Sequence, residues 1–107
     1  MKILIDECLP KKFKWELEEN KTSTVLEMGW VGKKNGELLA LMPLEFDVFI
    51  TVDSNMSYQQ NLKKYDIAFI QLSASSNRFD DLLPLMDSVK QHLKTIKVDD
   101  MITVKGS

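Results

Sequence analysis

The sequence predicts an α/β fold, a three-layer α/β/α sandwich around a mostly parallel central sheet of about five strands. Short apolar runs alternate along the chain with stretches of helical periodicity, and this alternation is typical of parallel sheets with helices on both faces. The length of 107 residues suits a single domain over residues 1–107. The hydrophobic and charged fractions, 44% and 28%, are those of an ordinary globular protein.

Five segments are predicted to be strands. Residues 1–5 contain a continuous apolar run, which suits a strand buried on both faces. Residues 22–26 are rich in β-branched side chains, which favour a strand. Residues 47–51, 67–72 and 101–104 supply three further apolar runs of strand length.

The first and last helices are predicted from apolar residues at helical spacing. In the first, Pro10 suits the opening turn, and the buried stripe consists of Leu9, Phe13 and Leu17. In the last, Pro84 lies in the first turn, and the buried positions are Leu82, Met86, Val89 and Leu93. Each helix is therefore expected to place one face on the sheet.

The second helix is expected to follow a loop that contains Gly29 and Gly32. Asn35 can cap this helix, and Pro43 limits its length. Its buried side is predicted to consist of Leu38, Leu39, Leu41 and Met42. The polar residues 53–64 are predicted to hold another short helix.

The charge and the rare residue types exclude several classes of protein. The net charge of −2 excludes a broadly basic nucleic-acid-coating protein, but not a nuclease that reaches phosphates through metal ions. With Cys8 as the only cysteine and His92 as the only histidine, the chain cannot form an internal disulfide or a zinc site of Cys and His ligands. No apolar stretch approaches a membrane span, and acidic residues interrupt the first run, so no signal peptide is expected. A cytoplasmic protein without a membrane partner is predicted.

Carboxylates are predicted to gather at one edge of the sheet. Asp6 and Glu7 end the first strand, Asp53 follows the third, and Glu37 lies in the first turn of the second helix. Because ligands bind at the carboxyl ends of parallel strands, we expect these four residues to form a catalytic site. Carboxylate oxygens without His or Cys suit Mg²⁺ or Mn²⁺. Such ions activate water and polarise phosphoryl oxygens, as phosphodiester cleavage requires.

Each of these residues also has a structural explanation. Asp6 or Glu7 can cap the following helix, Glu37 can favour the helix dipole, and Asp53 can form an Asx-turn. The sequence leaves both explanations open at every position.

Three further residues are candidates for substrate binding. Asn55 is either a neutral ligand or a turn residue, and Asn77 either contacts metal or phosphate or caps the last helix. Arg78 can bind a phosphate through two parallel hydrogen bonds, or it can form a surface ion pair with Asp80 or Asp81.

Several segments carry a family resemblance. Residues 1–10, with the sequence Met-Lys-Ile-Leu-Ile-Asp-Glu-Cys-Leu-Pro, resemble the opening of the short bacterial PIN-like domains, which are relatives of VapC-type toxins. Residues 36–39 (Gly-Glu-Leu-Leu), 46–55 (Phe-Asp-Val-Phe-Ile-Thr-Val-Asp-Ser-Asn) and 76–78 (Ser-Asn-Arg) follow in the order expected for that family. The resemblance covers nearly the whole chain.

The resemblance implies a PIN-type ribonuclease with a PIN-like central sheet. By position, Asp6, Glu37 and Asp53 would bind Mg²⁺ or Mn²⁺, and Glu7 would be the additional carboxylate typical of the short group. The implied activity is endoribonuclease cleavage of RNA by the toxin component of a toxin–antitoxin system. The implied partners are an RNA substrate, an antitoxin protein and a second copy of the chain in a homodimer.

Two other functions remain open. Asn55 stands where a further Asp is often found in PIN domains, and the chain is short. Both features favour a catalytically degenerate PIN-like domain that binds protein or RNA without cutting it. The chain is also similar to a response-regulator receiver, in which Asp53 would accept the phosphoryl group with Asp6 and Glu7 as the acidic pair. In that assignment, Ser73 would be the hydroxyl residue of the receiver site and Lys105 its lysine.

Overall fold

The computed structural model describes residues 1–17, 21–33, 35–52, 66–74, 78–98 and 100–105. Its strands form one sheet in the spatial order β2-β1-β3-β4-β5, and every neighbouring pair is parallel. The strands are β1 (Lys2–Ile5), β2 (Lys21–Thr24), β3 (Val48–Thr51), β4 (Ala68–Ser73) and β5 (Met101–Lys105). The predicted fold class is therefore confirmed, and the sheet is parallel throughout.

The helices flank this sheet on both faces. They are α1 (Phe13–Glu16), α2 (Asn35–Leu41), α3 (Phe79–Leu82) and α4 (Met86–Leu93). Short 3₁₀ turns at Met42–Leu44 and Leu83–Leu85 follow α2 and α3. None of the helices in the described part of the chain has the length and apolar content needed to cross a bilayer.

Side chains alternate between the two faces of the central strands, and each face has its own core. Ile3 and Ile5 of β1 lie on the face covered by α1, α3 and α4, whereas Leu4 lies on the face covered by α2. In β3, Ile50 belongs to the first core and Phe49 to the second, where its ring lies edge-on to Phe69 at 6.2 Å between centroids. Burial on both faces explains why these strands are continuous apolar runs.

The last helix differs from its prediction. The sequence predicts one amphipathic helix with Pro84 in its first turn, but the structure has α3, a 3₁₀ turn that contains Pro84, and then α4. Proline has no backbone N–H and its ring crowds the preceding turn, so an α-helix is interrupted there. The predicted buried positions Leu82, Met86, Val89 and Leu93 are confirmed.

The loop before α2 agrees with its prediction. Gly29 and Gly32 have φ angles of 75° and 85°, a left-handed conformation that glycine adopts without steric cost. Trp30 between them is partly buried and lies edge-on to Phe46, with 6.1 Å between ring centroids. Leu38, Leu39 and Met42 are buried as predicted, whereas Leu41 is only partly buried. Asn35, predicted as the cap, is the first residue of α2. The helix predicted within residues 53–64 lies outside the described residues.

The strand order creates a switch point between β1 and β3. The chain leaves β1 to form β2 on one side, and then crosses to form β3 on the other side. The direction in which the strands are added to the sheet therefore reverses between β1 and β3. In parallel sheets, ligands bind in the crevice at such a point, and this draws attention to the residues that follow these two strands.

Candidate functional site

Asp6 lies at the switch point, directly after the last residue of β1. Its backbone N–H donates to the carbonyl of Ile50 at 3.0 Å, which extends the pairing of β1 with β3 by one residue. Only 8% of Asp6 is exposed. The extended pairing sets Asp6 beside Thr51, the last residue of β3, which is also buried.

Three donors contact the Asp6 carboxylate. The Thr51 hydroxyl donates to Oδ2 at 2.7 Å, and the Cys8 thiol lies 3.4 Å from the same oxygen. The backbone N–H of Glu7 donates to Oδ1 at 2.8 Å. A buried carboxylate is costly unless it is hydrogen-bonded, and these contacts supply the partners that it needs. Because each carboxylate oxygen has two lone pairs, Oδ1 keeps the capacity to accept a further partner.

Cys8 joins Asp6 to Thr51 and is half-buried. Its sulfur lies 3.8 Å from the Thr51 hydroxyl, where either atom can be the donor. Burial raises the pKa of the Cys8 thiol to about 11, and the neighbouring negative charge of Asp6 acts in the same direction. A thiol with such a pKa stays protonated near neutral pH, so that Cys8 acts here as a neutral hydrogen-bonding neighbour.

The other predicted carboxylates within the described residues occupy more open positions. Glu7 is exposed, next to Asp6 in the chain. Glu37 is exposed in the first turn of α2, and its carboxylate lies 3.9 Å from the amine of Lys33, four residues earlier in the chain. Of these two, Glu7 is linked to the Asp6 carboxylate by a hydrogen bond through its backbone. Within the described ranges, no group of three or more His, Cys, Asp or Glu side chains is arranged to hold a metal ion.

The remaining candidates divide into two groups. Asp53, Asn55 and Asn77 lie outside the described residues. Arg78 is exposed and extended just before α3, where its carbonyl accepts the N–H groups of Asp81 and Leu82. Arg78 therefore begins the helix through its backbone, at the same end of the sheet as Asp6.

Ser73 and Lys105 are direct neighbours in the sheet. They are the last residues of β4 and β5 and are register partners. Both are exposed. The structure thus brings together the hydroxyl and the lysine of the receiver-like assignment.

Sequence reasoning missed the contribution of Thr51 and Cys8 to this site. From the sequence alone, Thr51 is indistinguishable from an ordinary β-branched strand residue, and Cys8 is most simply interpreted as a small buried side chain. The contacts of Thr51 with Asp6 and Cys8 depend on the pairing of β1 with β3, which sets residues more than 40 positions apart side by side. The polar threonine at the end of an apolar strand was the one available sign.

Comparison with known proteins adds no identification: no family model, curated protein or solved structure matches the chain.

Replacement of Thr51 tests the hydrogen bond to Asp6. We expect Thr51→Val to lower the free energy of unfolding by about 1–3 kcal/mol, because the buried carboxylate loses a donor. Thr51→Ser keeps the hydroxyl and should lose only about 0.8 kcal/mol for the missing methyl group. Urea denaturation at neutral pH measures both variants. Equal losses in the two variants would contradict the role of the hydroxyl.

The reactivity of Cys8 should depend on pH in a defined way. Iodoacetamide reacts with the thiolate, so the reaction rate in the folded protein should rise with a midpoint near the thiol pKa of about 11. In denaturant the midpoint should fall to the ordinary pKa of 9.0. Mass spectrometry can follow the reaction, since Cys8 is the only cysteine.

The same shift in the pKa links Cys8 to stability. The folded protein holds the thiol proton more tightly than the unfolded chain, so this contribution to stability is complete below pH 9 and is lost as the pH rises through 11.

The alkylation rate also tests the two causes of the raised pKa of Cys8. Asp6→Asn should lower the alkylation midpoint but keep it above 9, because burial contributes more to the raised pKa than the charge of Asp6 does. A midpoint at 9 in the folded wild type would contradict this environment for the thiol.

Proposed function

We propose that this chain is a Mg²⁺- or Mn²⁺-dependent endoribonuclease in which Asp6 is the central metal ligand. The observation that supports the proposal is the buried Asp6 carboxylate at the switch point of the sheet, held by Thr51, Cys8 and the Glu7 backbone. A carboxylate that only caps a helix does not require this position or this degree of burial.

The chemistry of the donors fits a hard divalent cation. Asp6 and Glu7 offer carboxylate oxygens, which Mg²⁺ and Mn²⁺ prefer. The proposed set is completed by Asp53, which stands two positions after Thr51 in the sequence, and by Glu37. The ion pair of Glu37 with Lys33 is long and exposed, so little energy opposes its exchange for a metal ligand.

The residues of the chain have distinct proposed roles. Thr51 and Cys8 fix the orientation of Asp6 through Oδ2, so that Oδ1 is presented to the ion. Glu7 is exposed and can orient a water molecule or serve as an additional ligand. Arg78 can hold a phosphate of the RNA. When bound, the metal ion would supply an activated water molecule and stabilise charge on the phosphoryl oxygens.

The family resemblance extends the proposal to the biological setting. It supports a cytoplasmic toxin that is held inactive by an antitoxin protein and that pairs with a second copy. The alternative, a catalytically degenerate PIN-like domain, differs in one measurable property, because it does not require a metal ion at Asp6.

A titration with Mn²⁺ tests the proposal. We expect the wild type to bind Mn²⁺ and to cleave RNA in its presence, and Asp6→Asn to weaken Mn²⁺ binding at least about tenfold and to abolish cleavage. Asp87→Asn is the matched control, since Asp87 is an exposed carboxylate on α4. Calorimetry gives the affinity, and circular dichroism confirms that each variant is folded.

The outcomes separate the two explanations. If millimolar Mn²⁺ does not bind to the wild type, the nuclease proposal fails and the binding module is favoured. If Asp6→Asn and Asp87→Asn bind Mn²⁺ as tightly as the wild type, the metal lies elsewhere and the assignment of Asp6 is wrong.

A second candidate is a receiver-like phosphoacceptor, and two observations favour it. The strand order β2-β1-β3-β4-β5 is that of doubly wound folds which include receivers, and Ser73 and Lys105 are neighbours at the ends of β4 and β5. Such an analogy of fold suggests a function without establishing it.

Acetyl phosphate tests this second candidate. A receiver should gain one phosphoryl group, and Asp53→Asn should prevent the gain while Asp47→Asn does not. Intact-mass spectrometry with Mg²⁺ present detects the adduct. An unchanged mass of the wild type would remove this candidate.

A further inference from the structure

The two oxygens of the Asp6 carboxylate differ in what they can still accept. Oδ2 receives two donors, the Thr51 hydroxyl at 2.7 Å and the Cys8 thiol at 3.4 Å. Oδ1 receives the backbone N–H of Glu7 at 2.8 Å, which is its one donor among the residues that the structure describes. Because a carboxylate oxygen has two lone pairs, Oδ2 is filled, whereas Oδ1 can accept one further partner.

The fold holds the carboxylate in this orientation. The Asp6 N–H donates to the carbonyl of Ile50, which directly precedes Thr51 in β3, so the contact between the two side chains joins adjacent strands of the sheet. Asp6 and Thr51 are both buried. A rotation of the carboxylate would break a hydrogen bond away from water, where its loss is costly. The chain therefore offers a cation one oxygen of Asp6 and not two.

Divalent cations differ in how they use a carboxylate. Mg²⁺ is small, requires near-octahedral geometry and keeps several waters, so that one oxygen from each carboxylate suits it. Ca²⁺ takes about six to eight oxygens in a flexible arrangement, often with both oxygens of one carboxylate. An Asp6 restricted to Oδ1 supplies the contact that Mg²⁺ prefers, and it supplies Ca²⁺ with less than this ion can use.

The other described carboxylates of the proposed metal site do not impose this restriction. Glu7 and Glu37 are both exposed. Their side chains can adjust to either ion, because no buried hydrogen bond has to be broken when they turn. Among the described members of the set, discrimination between the two ions therefore depends on Asp6 and on the side chains that hold it.

We propose that Thr51 and Cys8 make the site at Asp6 selective for Mg²⁺ over Ca²⁺, because together they occupy Oδ2. The inference rests on the proposed function, which assigns a divalent cation to Asp6, and it adds the physical basis of the choice of ion. Neither side chain has to touch the ion. Both are positioning residues that act through the Asp6 carboxylate, in the manner of the outer partners of other metal ligands.

Competition for bound Mn²⁺ tests the proposal on the whole chain. Electron paramagnetic resonance measures free Mn²⁺ while Mg²⁺ or Ca²⁺ is added until half of the bound Mn²⁺ is released. We expect the wild type to require more Ca²⁺ than Mg²⁺. Thr51→Val and Cys8→Ala each remove one donor to Oδ2. Each should lower this ratio of Ca²⁺ to Mg²⁺ about tenfold, the scale on which such outer contacts affect metal binding.

Two conservative variants are the matched controls. Thr51→Ser keeps the hydroxyl and Cys8→Ser replaces one donor by another, so both should keep the wild-type ratio. The ratio compares two ions on the same variant, and a general loss of stability therefore cancels. If Thr51→Val does not fold, Cys8→Ala carries the test, since Cys8 is only half-buried.

Infrared spectroscopy detects the mode of binding directly. The carboxylate stretching bands distinguish a carboxylate that binds a cation through one oxygen from one that binds through both. The spectral change on addition of Ca²⁺, compared between the wild type and Asp6→Asn, isolates the contribution of Asp6. We expect binding through one oxygen in the wild type and through both in Thr51→Val. A merely structural role of Thr51 would leave the mode of binding unchanged.

The outcomes separate this inference from the proposed function. If the wild type binds Mn²⁺ but releases it as readily to Ca²⁺ as to Mg²⁺, the selectivity is wrong and the metal site stands. Unchanged ratios in both Thr51→Val and Cys8→Ala, or binding through both oxygens of Asp6 in the wild type, would likewise overturn this inference alone. If the wild type binds no Mn²⁺, the proposed function fails and the selectivity fails with it.

Discussion

The pairing of β1 with β3 is the constraint on which the rest of the structure depends. Both strands lie inside the sheet and are buried on both faces, with Ile3, Leu4 and Ile5 opposite Val48, Phe49 and Ile50. Any polar side chain at the end of these strands enters a region with little water and must find partners in the protein. The Asp6 and Thr51 pair satisfies that requirement where the apolar register ends.

The same pairing gives Asp6 its chemical character. A carboxylate on a flexible surface loop would exchange its partners with water. Asp6 is instead fixed by donors from β3, from Cys8 and from its own chain neighbour, so its orientation is determined by the fold itself. Pre-arranged polar groups of this kind bind ligands without the entropy cost of ordering. The buried negative charge has a second effect, since it helps to keep the Cys8 thiol protonated by raising its pKa.

The sequence predicted the architecture well, because the spacing of apolar residues along the chain is a local property that indicates both the type of element and its buried side. Apolar runs identified four of the five strands, and β-branched residues identified β2. The spacing of Leu9, Phe13 and Leu17 identified the buried face of the first helical region. The interruption at Pro84 was missed because the apolar spacing continues unbroken through it.

The candidate site was less accessible to prediction. Asp6 could be selected because it ends an apolar run, yet its partner Thr51 depends on strand order and register, which no local pattern encodes. The arrangement of Glu37 illustrates the same limit. Its position in the first turn of α2 was predictable, but its exposure and its ion pair with Lys33 depend on how the helix lies on the sheet. Asp53, Asn55 and Asn77 stay predictions of the sequence.

The parallel topology explains why the candidate site lies where it does. All five strands end on the same side of the sheet, so Asp6 directly after β1 and Thr51 at the end of β3 lie at that edge. β1 and β3 each have a strand on both sides, so their backbone groups are engaged in the sheet and only side chains remain for further contacts. Asp6 and Thr51 therefore meet through their side chains, and this polar contact continues the pairing of the two strands beyond the point where the apolar register ends.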